Sequence, residues 1–211
     1  MIQKKIGRGT AIAAAIGLAA GPLLAAVGCE LNDPDRDVRR LFPGSTGFKT
    51  IYVSIARQGG EMLLRKIESR LGDKFQGLYE TADVPYTMYQ IYKGTELIGY
   101  IHGVNQKGLY GGIQVFLALD LEGTIRAFYY QKLTNQQAKL LRDAAFGNQF
   151  VGLNLSDFDA YDPVSGVAQP GSKVAAIKNP AAGAEGDFKA TLRAAKKNLI
   201  LCQAFLLKKD I

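Results

Sequence analysis

The stretch Gly111 to Ile125, which reads GGIQVFLALDLEGTI, decides the fold of this chain. Its side chains alternate in character, as in a β-strand that turns one face toward a core. One face carries Ile113, Val115, Leu117 and Leu119, and the other carries Gln114, Phe116 and Ala118. Glu122-Gly123 predicts a tight turn, after which Thr124 to Leu133 returns with Ile125, Ala127 and Tyr129 inward. We therefore expect an antiparallel pair of strands here.

The same pattern extends toward the N-terminus. Tyr86 to Tyr92 alternates, Lys93-Gly94 is typical of a turn, and Leu97 to His102 returns. Further upstream, Phe48 to Ala56 alternates well enough for another strand. Short connections between consecutive strands imply antiparallel pairing. The centre of the chain is therefore predicted to be a β-meander.

Helical periodicity precedes the meander in two places. Asn32 to Arg40 is polar and predicts a tether plus the first turn of a helix, which Leu41 to Gly44 ends. Glu61 to Leu71 predicts an amphipathic helix. Its buried face is expected to carry Leu63, Leu64, Ile67 and Leu71, and its solvated face Arg65, Lys66, Glu68 and Arg70.

Two more helices are predicted after the meander. Thr134 and Gln137 have the spacing of a capping box, and Gly147 closes that helix. Asn154 to Pro180 has no periodicity and predicts a long loop. Asp187 is predicted to cap the last helix. Its apolar stripe comprises Phe188, Leu192, Ala195, Leu199, Cys202 and Leu206. The order of helix, strands, helix, loop and helix predicts an α+β fold, an antiparallel β-meander packed by helices.

The N-terminus has the layout of an export signal. Lys4, Lys5 and Arg8 precede the apolar run Ala11 to Val27, and Ala26-Val27-Gly28-Cys29 resembles a bacterial lipobox. We favour cleavage before Cys29 and lipidation of its thiol. The alternative is an uncleaved signal anchor. Both place the rest of the chain on the outer side of the cell membrane. The predicted organisation is a signal or anchor over 1–28, a tether over 29–47 and one domain over 48–211.

The composition argues against several function classes. His102 is the one histidine and Trp is absent, which argues against a His-ligated metal or haem site. Cys29 and Cys202 cannot make a zinc knuckle or an iron–sulfur cluster, and they do not suggest a disulfide framework. The net charge of +7 is spread along the chain without a clustered stripe, so we expect no nucleic-acid partner.

Four sequence pieces, in order, resemble the FMN-binding domain of periplasmic flavoproteins. They are Leu41-Phe42-Pro43, Ile98-Gly99-Tyr100, Leu109-Tyr110-Gly111-Gly112, and Asp120 with Glu122-Gly123 and Ile125. That family includes the small flavin subunits of the sodium-pumping NADH:quinone reductase and of the Rnf electron-transport complex. The resemblance covers roughly residues 38 to 211 and implies an FMN cofactor, with Tyr110, Gly111 and Gly112 among its contacts.

The resemblance also implies that FMN is joined through its phosphate to a Thr in a motif like D-x-x-S-G-A-T. Asp162, Ser165 and Gly166 match that motif, but Ala168 stands in place of the Thr and cannot form the ester. A second register places Thr191 after Asp187 but lacks the Ser-Gly pair. A third, Ala182 to Glu185, has Glu in place of Thr. We therefore predict no covalent flavin, and noncovalent FMN or a fold that has lost the flavin both remain open.

Two function classes follow from the resemblance. The first is a membrane-tethered electron carrier that works with the other subunits of an extracytoplasmic redox complex. The second is a flavin-free accessory subunit that packs against membrane or cytochrome partners. The electron carrier needs no catalytic acid or base from the protein, because the cofactor supplies the redox chemistry. His102 is accordingly expected to be structural.

Overall fold

The computed structural model describes residues 29–207, and the α+β prediction is confirmed. Five strands form one antiparallel sheet in chain order, so each strand pairs with the one before it. The strands are β1 (Gly47–Val53), β2 (Tyr86–Lys93), β3 (Glu96–Gly108), β4 (Gly111–Leu119) and β5 (Ile125–Lys132). β1 and β5 are the edges of the sheet.

Two of the predicted strands differ in extent. β3 runs on to Gly108, because its second half pairs with β4 as far as Gly108 opposite Gly111. β1 stops at Val53, because the Ser54 side chain accepts a hydrogen bond from Arg57 N and starts helix α2 (Ile55–Gln58). The predicted strand over 48–56 therefore ends in a helix.

Helix α6 (Glu185–Cys202) packs on one face of the sheet. The predicted stripe is confirmed: Leu192, Ala195, Leu199 and Cys202 are buried among strand residues such as Leu117. Burial is continuous from Thr191 to Cys202, so both sides of the helix are covered. Helix α3 (Gly60–Leu71), predicted over 61–71, lies against its far side. Residues Gln203–Leu207 continue α6 as a π-helical turn.

The segment predicted to be a tether, 29–47, packs on the other face of the sheet. Cys29, Leu31 and Val38 are buried. Together with Leu41 and Phe42 they form a second core against Tyr89, Ile91, Ile101, Phe116 and Ala118. Helix α1 (Pro34–Leu41) begins after Asp33, whose side chain accepts from Arg36 N. The tether prediction over 29–47 was wrong, because the few apolar residues of this mostly polar stretch pack against one face of the sheet.

After the sheet, residues 134–147 are less regular than predicted, whereas residues 154–180 are more regular. The predicted helix over 134–147 is broken into α4 (Ala138–Leu141) and α5 (Ala144–Asn148), and Gly147 lies inside α5. Thr134 makes no capping box; the Asn135 side chain accepts from Gln137 N instead. The predicted loop over 154–180 contains two short 3-10 turns (Leu155–Ala160 and Val174–Ala176). It also contains a hairpin of β6 (Tyr161–Asp162) with β7 (Val167–Ala168).

The predicted signal or anchor over 1–28 lies outside the described residues. Within residues 29–207, no helix combines the length and the apolar character needed to cross a membrane.

Candidate functional site

Two of the segments singled out by the family resemblance, the β3–β4 turn and the Ser165-Gly166 pair, meet at the first two turns of α6. The β3–β4 turn is one of them. Its Leu109 N donates to Asp187 Oδ1 at 2.7 Å. Asp187 is therefore not the helix cap that was predicted, since α6 begins at Glu185 and the Asp187 carboxylate reaches across to the sheet. This contact sets Tyr110 and Gly111 at the surface beside the helix start, with Tyr110 56% exposed.

Two glycines allow this turn to form. Gly111 has a φ of +134°, in a region that L side chains rarely adopt. At Gly112 a Cβ would lie 2.8 Å from the ring of Tyr79, so a larger residue would push that ring away.

The Ser165-Gly166 pair lies at the tip of the β6–β7 hairpin, which leans on α6 one turn further along. Lys189 Nζ donates to the carbonyl of Ser165 at 3.1 Å. Gly166 has a φ of +71°, and a Cβ there would lie 2.5 Å from the Lys189 side chain. The Ser165 hydroxyl donates to Asp162 Oδ2 at 2.7 Å. That bond lowers the pKa of the Asp162 carboxyl, which is therefore ionised at neutral pH.

Thr191 is fully buried inside the helix bundle. Its hydroxyl donates to the carbonyl of Asp187 at 2.6 Å. Since a hydroxyl has one proton, the Tyr130 hydroxyl, 2.5 Å away, is the donor in the second bond. Both functions of the Thr191 hydroxyl are occupied, and no phosphate ester fits there without unpacking α6.

The residues around these segments do not fit a flavin phosphate. Asp187 is buried, and its carboxylate accepts from Leu109 N and from the Asn135 side chain. An open cavity of about 400 Å³ adjoins the Ser165 hairpin, but Asp159 and Asp162 line it. These carboxylates would repel a phosphate, and the ammonium of Lys189 is held by the Ser165 carbonyl. Covalent FMN has no accessible Thr among the predicted positions, and noncovalent FMN has no preformed phosphate cradle there.

A buried charge network, which the sequence analysis missed, joins α6 to the segment before β2. Arg193 Nη1 lies 2.6 Å from Glu80 Oε1, and Arg193 Nε lies 2.8 Å from Asp73 Oδ2. Lys197 also pairs with Glu80 and donates to the Asn105 carbonyl at 2.7 Å. Burial lowers the pKa of Lys197 to about 8, although Glu80 opposes the shift. The network fixes α6 against the 73–80 segment, because Arg193 and Lys197 both bind Glu80.

His102 is structural. It is fully buried on β3, and its Nδ1 lies 2.9 Å from Asn198 Oδ1. Because the Asn198 amide group donates to the His102 carbonyl at 2.9 Å, its oxygen must accept, and His102 carries its proton on Nδ1. His102 Nε2 has no hydrogen-bond partner among residues 29–207. Cys202, as predicted, is a buried core residue, and burial raises the pKa of its thiol.

A basic cavity of about 400 Å³ lies at the β5 edge of the sheet. Arg36 and Arg40 of α1 line it, together with Arg142 from the α4–α5 connection and Tyr129 of β5. The guanidinium of Arg40 stacks on the Tyr129 ring, 4.3 Å from its centroid. A smaller cavity of about 210 Å³ shares Arg40, Tyr129 and Arg142 with it.

No protein-family model matches this chain, and no curated protein matches it either. Within residues 29–207, no group of three or more His, Cys, Asp or Glu side chains is arranged to hold a metal ion.

Proposed function

We propose that this chain is a membrane-anchored, FMN-binding-like subunit of an extracytoplasmic electron-transfer complex, and that it carries no covalently attached flavin. The proposal combines the N-terminal export pattern with the ordered motifs of the FMN-binding family. Both are properties of the sequence.

The observation that carries the proposal is the convergence on α6. The β3–β4 turn and the Ser165-Gly166 hairpin are separated by more than fifty residues in the chain, yet they contact successive turns of one helix through Asp187 and Lys189. The meeting of these two segments supports a common site for them, whereas Phe42, from another of the four pieces, packs in the second core on the other face of the sheet.

The hydroxyl groups at that site support the proposed absence of covalent flavin. Ala168 replaces the esterified Thr, and Thr191 is buried with its hydroxyl engaged by Asp187 and Tyr130. Ser165 is exposed, but it belongs to the Ser-Gly pair of the motif and lies three residues before Ala168, which occupies the position of the esterified Thr.

The experiment is to purify the full chain from its native membrane and to run it on a denaturing gel under ultraviolet light. We expect no fluorescent band. Acid precipitation then tests for noncovalent FMN, which would appear in the supernatant in proportion to protein. A fluorescent band that is lost in Thr191→Val but kept in Ser165→Ala would overturn the proposal, since it would place a flavin ester on the buried hydroxyl.

A flavin-free accessory subunit is the second candidate. It is favoured by the carboxylates of Asp159, Asp162 and Asp187, which stand where a phosphate would have to approach. A colourless protein that copurifies with redox subunits would support this candidate over the electron carrier.

A further inference from the structure

We infer that β1 is the edge at which two copies of this chain pair, so that their sheets join into one continuous antiparallel sheet. The partner is a second copy, related to the first by a two-fold axis that passes beside Thr50. The inference goes beyond the proposed function, and it depends neither on a cofactor nor on attachment to a membrane.

The two edges of the sheet differ in how they are covered. β5 is covered by a later part of the chain: Ile125 N donates to the Leu153 carbonyl and Gly152 N donates to the Ile125 carbonyl, both at 2.8 Å. β1 pairs with β2 on one side. On its other side, no backbone hydrogen bond joins β1 to any other part of residues 29–207. Its outward N–H and C=O groups are therefore open to another strand.

β1 also lacks the features that usually keep an edge strand from pairing. It contains no proline, and it pairs with β2 from Gly47 to Val53 without a bulge. Lys49 is the one charged residue in the strand. The seven residues of β1 offer an edge about 23 Å long. This edge is therefore regular and long enough for a second strand to bind along it.

The side chains of β1 alternate between the two faces of the sheet. Ile51 and Val53 pack against the core that α6 covers. Phe48 packs against the second core on the other face, with its ring edge-on to a strand β2 tyrosine. Thr50 and Tyr52 alternate in step with Phe48, and the Tyr52 side chain is 62% exposed. One face of the edge therefore carries an aromatic residue on each side of Thr50.

Length and charge select one register for the pair. A two-fold axis perpendicular to the sheet brings side chains of the same face opposite each other, so it passes beside a residue. An axis beside Lys49 would place two ammonium groups directly opposite and would pair only 47–51. An axis beside Ile51 would pair only 49–53. An axis beside Thr50 pairs the whole strand and places each Lys49 opposite an Ile51.

In the Thr50 register the strand is complementary to itself. Phe48 of each copy lies opposite Tyr52 of the other, and Thr50 lies opposite Thr50 between these two aromatic pairs. Aromatic pairs and Thr–Thr pairs both stabilise antiparallel strands. The pairing also covers the exposed Tyr52 ring. This match of the strand with itself favours a second copy over an extended segment of another protein, which would satisfy only the backbone groups.

The test is analytical ultracentrifugation of the full chain in neutral detergent, at concentrations up to about 1 mM. We expect a reversible equilibrium between monomer and dimer. Thr50→Lys and Thr50→Glu should each weaken the dimer at least about tenfold, because like charges then lie directly opposite at the axis. An equimolar mixture of these two variants should dimerise again, because opposite charges then meet. Val164→Lys adds the same charge on the exposed β6–β7 hairpin and should leave the dimer unchanged.

Tyr52→Ser is a second variant, in case the Thr50 variants do not fold. The Tyr52 side chain is largely exposed, so the monomer does not depend on it. Because each dimer contains two Phe48–Tyr52 pairs, this change should weaken the dimer at least about threefold.

Several results would overturn the inference. A monomer at every concentration would leave β1 to an extended segment of another protein. A dimer whose affinity is unchanged by Thr50→Lys or Tyr52→Ser, or is lowered equally by Val164→Lys, would use another surface. Folded Thr50→Lys and Thr50→Glu chains that do not associate with each other would exclude an axis beside Thr50. Residues 1–28 are the same in every variant, so association through them cannot produce the recovery expected in the mixture.

Discussion

Acidification from pH 7 to pH 5 should destabilise this protein through one side chain, His102. Burial lowers its pKa from 6.5 to about 4, and the nearby Lys197 charge acts in the same direction, against the hydrogen bond to Asn198. Protonation would place a charge on Nε2, which is buried and lacks an acceptor among residues 29–207.

The sign of the effect follows from the two protonation equilibria. The unfolded chain takes up a proton on His102 as the pH falls through 6.5, whereas the folded chain takes it up only near 4. The neutral His102 ring therefore contributes its full stability above pH 6.5. That stability is lost as the pH falls from 6.5 toward 4. The loss is about 2 kcal/mol by pH 5 and about 3 kcal/mol by pH 4.

Two measurements check this prediction, and both report on His102 alone because the chain has a single histidine. The first follows the ring resonance of His102 by NMR as a function of pH, and a midpoint well below 6.5 is expected. The second compares urea unfolding of the wild-type chain and of His102→Gln at pH 7, 6 and 5. Carboxylate titrations cancel in the difference between the two chains. A ring that titrates at 6.5, or a difference that stays constant within about 0.5 kcal/mol, would refute the reasoning.

Two further predictions concern the core and the anchor. Leu199→Ala, in the buried stripe of α6, should lower the free energy of unfolding by about 2–5 kcal/mol in urea denaturation, whereas Leu140→Ala on the half-exposed α4 should cost far less. A cost near zero at Leu199 would mean that α6 does not pack on the sheet. Cys29→Ser should move the chain from the membrane to the soluble fraction, because the predicted lipid attachment is lost; that attachment requires the Cys29 side chain to leave the second core in which it is buried. Intact-mass analysis that finds Met1 on the mature protein would favour an uncleaved anchor instead.

The sheet could be predicted from the sequence because its signal is local. Alternation at period two in 111–119 and 125–132, with Glu122-Gly123 between them, requires no knowledge of distant residues. The stripe of α6 was predictable for the same reason. The length of β3 was harder to predict. It continues past His102 because it pairs there with β4, and the sequence of β3 alone does not show that pairing.

The far side of α6 could not be predicted, because its burial depends on distant parts of the chain. Arg193 and Lys197 have the character of a solvated face. They are buried because Glu80 and Asp73, more than a hundred residues earlier, provide the opposite charges. Asp187 was misread for a similar reason, since its partner is the β3–β4 turn and not its own helix. In each case the partner of a polar residue lies elsewhere in the fold, where the local sequence pattern does not reveal it.

The central position of α6 also governs how the chain is assembled during synthesis. Every element that covers α6, from α3 and the Glu80 segment to all of β2–β5, precedes it in the chain. A ribosome therefore releases the meander before the helix that completes its main core exists. Until α6 arrives, Glu80 lacks both of its cations, and the sheet face that contains Leu117 stays uncovered. The main core can therefore close only after synthesis has passed Cys202, so helix α6 acts as the last piece that locks the earlier elements together.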